Sequence, residues 1–136
     1  MIKILPLNKF RLLKKFQEVF KINEDTVIAY NDTIYCNKNL PEDVLEHEKT
    51  HLKQQKKYGL DNFIKKYIND KKFRLEMEKE AYLVQLNSIT DEGLREAVKQ
   101  DCLEALQSGL YGNITEKEAK EILEIKDKKL DVNKLI

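Results

Sequence analysis

Apolar and polar residues recur along this chain with two different periods, and the switch between them divides it into elements. Over residues 7–21, Phe10, Leu13, Phe16 and Phe20 return at intervals of three or four, which predicts a first amphipathic helix. The next stretch, "DTVIAYNDTIYC" (25–36), is dense in β-branched and aromatic residues on either side of Asn31-Asp32. Asn and Asp suit a two-residue turn, so the stretch predicts a short β-hairpin. Pro41 fits the first turn of a helix and Gly59 its end, bounding a helix from about Pro41 to Tyr58. Helices are also predicted over 61–69, over 72–87, and from Thr90 to near Gly109 and Gly112. A last one opens with the capping box Thr115-x-x-Glu118 and fades in "KDKKLDVNKLI". Many helices and one small sheet make the expected fold α+β and helix-rich, not a parallel α/β arrangement.

With 136 residues and no repeat or Pro/Gly/Ser linker, the expectation is a single compact domain over 1–136. Lys and Arg number 25 against 24 Asp and Glu, a formal net charge of +1. Chains that grip nucleic acid or anionic membranes carry a marked excess of one sign, so neither partner is expected. No apolar run reaches the length of a membrane span, and "MIKILPLNKFRLLKK" has too short an apolar stretch for a signal peptide. Cys36 and Cys102 lie far apart and outside any Cys-x-x-Cys pair, which fits free thiols in a reducing compartment. A cytoplasmic or phage-associated setting accords with these features.

The chain's two histidines stand together in "HEKTH" (47–51). On a helical wheel at about 100° per residue, Val44, Leu45, His47, Glu48, His51, Leu52, Gln55 and Tyr58 share one side. Glu42, Glu46, Lys49, Thr50, Lys53, Lys56 and Lys57 share the other. Both histidines and Glu48 therefore fall on the apolar face. A carboxylate in a dry site is costly unless something compensates it. A metal does so: imidazoles one turn apart converge on one zinc ion, with Glu48 beside a water activated by it.

Catalytic zinc takes three protein ligands and keeps a position open. With no third histidine, the third ligand must be a carboxylate or a cysteine, and "RLEMEKEAY" (74–82) offers Glu76, Glu78 and Glu80. On the wheel of helix 72–87, Glu78 sits near the middle of the face formed by Phe73, Leu75, Met77, Ala81, Tyr82 and Val84, while Glu76 and Glu80 fall outside it. A salt bridge from Glu78 to Arg74, one turn back, is the ordinary alternative.

HEKTH followed by a helix reading Glu78-x-x-Ala81 resembles the gluzincin clan of zinc metallopeptidases, and the compact length is similar to the minigluzincins. The resemblance covers roughly residues 26–85 and implies a minimal zincin-like domain. It implies zinc held by His47, His51 and Glu78, with Glu48 as catalytic base. It further implies a small sheet above the active-site helix whose edge strand takes an extended peptide or protein substrate, with Thr33, Ile34, Tyr35 and Cys36 as the candidate edge. Gln54 and Gln55 also occur after the second histidine in some branches of the clan. One position departs from the pattern: the Asp expected four residues after the ligand Glu is Tyr82 here. Tyr82 itself and Asp101, at the margin of the apolar face of helix 91–107, are the candidates to orient the ligands instead.

As a peptidase, the chain would use Glu48 to take a proton from water and pass it to the leaving amine. Tyr82, Tyr111 and Tyr58 are the candidate donors to the developing oxyanion. Cys36 could approach the metal as an inhibitory ligand, although a packed thiol is the simpler reading. Two competing functions use the same residues. A zinc-bound but latent or silent domain would have its site covered, for instance by the last helix and the "LDVNKLI" tail. A metal-free helical interaction protein would carry HEKTH by accident.

Overall fold

The computed structural model describes residues 2–123 of the 136, so the tail expected to lie over the site falls outside the described residues. The fold is a helix-rich α+β arrangement with one three-stranded sheet, as expected. Two compact units divide the chain between Asp70 and Lys71.

The first unit holds β1 (Lys3–Leu5), a 3-10 turn (Leu7–Lys9), α1 (Leu13–Gln17), β2 (Ile28–Tyr30), β3 (Thr33–Tyr35), α2 (Glu42–Tyr58) and α3 (Leu60–Asn69). The hairpin forms where predicted, with Asn31 at φ 62° in its turn. Asn tolerates this left-handed conformation better than most residues because its short polar side chain bonds locally. Instead of one helix over 7–21, the segment forms the 3-10 turn and the five-residue α1. Phe10 leaves the turn extended (φ −73°, ψ 116°). Its ring packs 5.0 Å from Phe16, 5.4 Å from Tyr30 and 5.1 Å from Tyr35. In so short a segment, these tertiary contacts outweigh a helical period that cannot sustain a helix alone.

The unpredicted β1 pairs in parallel with β3, so the sheet order is β1-β3-β2. Pro6, lacking an amide hydrogen, follows its last residue. α2 packs against β2, and Leu52 joins Ala29, Ile34 and Cys36 in one apolar cluster. The side chain of Gln55 ties helix and hairpin together: its Nε2 donates to the Ala29 carbonyl at 2.8 Å, and its Oε1 accepts from the Asn31 amide at 2.7 Å.

The second unit holds α4 (Lys71–Ser88), α5 (Glu92–Leu106) and a helix from 116 to the last described residue, 123. Asp91 caps α5 by accepting from the Leu94 amide at 2.8 Å. The capping box forms as read: the Thr115 amide donates to Glu118 Oε1 and the Glu118 amide to Thr115 Oγ1, each at 3.1 Å. These bonds from Thr115 hold the Glu118 carboxyl below its usual range. The apolar core here is Leu86, Cys102, Leu103, Leu106, Tyr111, Ala119 and Leu123. Among the described residues, no helix is long and apolar enough to cross a membrane.

Candidate metal centre

α2 carries the histidines. At i,i+4 spacing their side chains meet on one helix face, and both are buried. The two Nε2 atoms lie 3.2 Å apart. Two imidazole nitrogens each about 2.0–2.1 Å from a tetrahedral zinc are separated by about 3.3 Å, so the pair has the spacing of metal ligands. Glu48, also buried, brings Oε2 to 3.8 Å from His47 Nε2. Its carboxylate thus reaches the side of the ring that carries the nitrogen facing His51.

His51 is held from two directions. Its Nδ1 lies 2.9 Å from Oε1 of the buried Gln54. Its ring meets Tyr67 of α3 edge-on at 6.3 Å. Tyr67 in turn packs on Phe63 and on Phe20, and Phe20 on Phe16, so a run of aromatic contacts leads from the N-terminal segment to the histidine. The wheel left Gln54 unplaced and put Thr50 outward, yet both are buried. Thr50 is accommodated because its hydroxyl donates to the Glu46 carbonyl at 2.8 Å.

α4 carries the carboxylate. Of its three candidate glutamates, Glu78 is buried beside Met77 and Ala81, and Glu76 and Glu80 are exposed. Tyr82, one turn on and half-buried, has its hydroxyl 3.3 Å from that of buried Tyr111. Burial, and then the Glu78 carboxylate, push both tyrosines well above their ordinary value of 10.0, keeping them protonated.

His47, His51 and Glu78 each offer one ligand atom, and these atoms lie within 4.8 Å of one another. The three buried side chains form a group that can hold a metal ion. Two neutral imidazoles and one carboxylate supply one negative charge, so a divalent cation fits them by charge as well as by donor type.

Two other expectations are corrected. Thr33–Tyr35 is the central strand, hydrogen-bonded on both sides, and not an edge; the unforeseen β1 took that position. Thr33, Ile34 and Cys36 are buried, and the Cys36 thiol donates to the Lys38 carbonyl at 3.3 Å as a packed core thiol does. Asp101 is exposed, because α5 turns Cys102, Leu103 and Leu106 inward and Asp101 away, so it cannot orient a buried ligand. Tyr58 is half-buried, with the Lys57 ammonium over its ring at 5.5 Å. No signal in the linear pattern marks Tyr67; it is found only through its contacts. No family model, curated protein or solved structure matches this chain.

Proposed function

We propose that this chain is a zinc-dependent peptidase of minimal gluzincin-like kind, hydrolysing peptide bonds in extended substrates. The reading rests on one observation above the rest: His47, His51 and Glu78 are buried with their ligand atoms in reach of one another, and Glu48 is buried against His47. This is the donor set of catalytic zinc sites that keep a fourth position open. When bound, zinc would polarise the scissile carbonyl and lower the pKa of a neighbouring water. Glu48 then accepts the water's proton and delivers it to the leaving amine nitrogen. A buried carboxylate suits this task because no competing solvent surrounds it.

The peptide would lie along an outer strand, since β3 has no open side. One observation favours a second reading, a zinc-binding but catalytically silent domain. The amide of Gln55 already makes, at Ala29 and Asn31, the two backbone bonds that an added strand would make at that end of β2.

The test separates the two. Glu48→Gln should keep zinc and lose hydrolysis of a denatured protein, whereas His47→Ala should lose both. Turnover surviving in Glu48→Gln removes that residue from its role; zinc bound without turnover in the unaltered chain selects the silent domain.

A further inference from the structure

We propose that Gln54 is a positioning residue that fixes the tautomer of His51 and thereby turns its Nε2 lone pair toward the metal. The inference rests on the metal-centre reading above and deepens it. A neutral imidazole carries one N–H, and whichever nitrogen holds it cannot coordinate. His51 Nδ1 is 2.9 Å from the side-chain oxygen of Gln54, which can only accept. The proton must then be on Nδ1, and the lone pair on Nε2. That Nε2 is the atom 3.2 Å from His47 Nε2, where the two ligands converge.

Gln54 is 3 % exposed, so water has little access to replace the bond. His51 and Gln54 stand at i,i+3 on one helix, neighbours on its surface, and the support is therefore internal to α2. The choice of an amide over a carboxylate also has a physical reason. A divalent ion with Glu48 and Glu78 is already neutral in charge; a third carboxylate would leave a net negative charge in a buried site. A neutral acceptor orients the ring without that cost. It also polarises the imidazole less than a carboxylate would, leaving more positive charge on the metal.

The experiment uses the full chain and two readouts. Imidazole ¹⁵N shifts of the metal-free protein, above the pH of histidine titration, report the His51 tautomer; competition with a chromophoric chelator reports zinc affinity. The unaltered protein should show Nδ1–H at His51. Gln54→Met, which removes the acceptor at nearly constant volume, should mix the tautomers and weaken zinc binding by about 10–100-fold. Gln54→Asn, which keeps an amide but shortens it, should do the same and serves if the methionine variant does not fold. Gln54→Glu should retain the Nδ1–H tautomer. An Nε2–H tautomer in the unaltered protein overturns the proposal, as does zinc affinity in both Met and Asn variants within about twofold of the unaltered chain, well short of the usual loss. If the unaltered protein binds no zinc, the metal-centre reading fails, while the tautomer readout still decides whether Gln54 orients His51.

Discussion

Helices α2 and α5 are nearly equal in length, 17 and 15 residues, yet they bury opposite chemistry. Leu52 is the one apolar side chain among the eight that α2 buries; the others are Asp43, His47, Glu48, Thr50, His51, Gln54 and Gln55. α5 buries Cys102, Leu103 and Leu106 beside a single charged residue, Lys99. Apolar burial contributes about 25 cal/mol per Å² to folding. Polar burial costs free energy unless each group finds a partner. α2 commits its hydrogen-bonding capacity to the candidate metal centre, whereas α5 secures a core. The difference separates residues whose loss unfolds the chain from residues whose loss empties a centre.

Truncating the fully buried Leu106 of α5 gives the largest expected effect on that comparison. Leu106→Ala should lose about 2–5 kcal/mol in urea unfolding, through lost transfer energy and the cavity left behind, and the same amount with zinc or with chelator. A cost that zinc relieves would mean that α5 shares in the metal site, and the contrast would fail.

The converse experiment acts on α2. If zinc binds the proposed centre and only in the folded chain, a thousandfold excess over its Kd should raise stability by about 4 kcal/mol. In His51→Ala that increment should vanish. Thermal melts with and without zinc read both. An increment surviving in His51→Ala would place the bound zinc elsewhere.

Gln55 provides a smaller and metal-independent effect on the same helix. Its amide satisfies the Ala29 carbonyl and the Asn31 amide, and Gln55→Leu would strip the partner from the buried carbonyl and from the part-buried amide. The expected loss is about 1–3 kcal/mol, with zinc affinity unchanged. Hydrogen exchange at the Asn31 amide should accelerate in this variant; unchanged protection there would show that the clamp does not hold the hairpin.

The features legible in the linear pattern are those that local geometry decides. Pro41 and Gly59 bracket α2 because the fixed φ of one and the positive φ of the other punctuate any helix, whatever packs on it. The i,i+4 spacing of HEKTH, once helical, puts both rings on one face, and burial of Glu78 but not Glu76 or Glu80 follows from the same periodicity. The rest depends on contacts between segments distant in sequence. The three residues Lys3–Leu5 are too few to show an alternation that announces a strand, and without β1 the hairpin strand Thr33–Tyr35 reads as an edge. Phe10 has helical spacing but is drawn out by the rings of Tyr30 and Tyr35. Tyr67 and Gln54 acquire meaning only beside His51. Asp101 lies one position from Cys102, and that one step of about 100° decides between water and core.

The last and smallest test concerns the polar groups that the α5 side of the comparison does contain. Tyr111 lies in the apolar cluster with Leu106, and Tyr82 packs against that cluster. Burial raises both tyrosines above their ordinary value of 10.0, with Glu78 adding to the shift. Below about pH 10, folded and unfolded chains both keep these protons, and the pair imposes no pH dependence. Above it the unfolded chain ionises while the folded one does not, so the unfolded state binds fewer protons and stability falls as pH rises. The slope approaches about 1.4 kcal/mol per pH unit for each tyrosine. Tyr82→Phe should remove one of the two contributions and flatten the decline between pH 10 and 11, read by urea unfolding at steps across that range. An undiminished slope would assign the alkaline loss to other groups, and the cluster beside α5 would then behave as the purely apolar counterpart of α2.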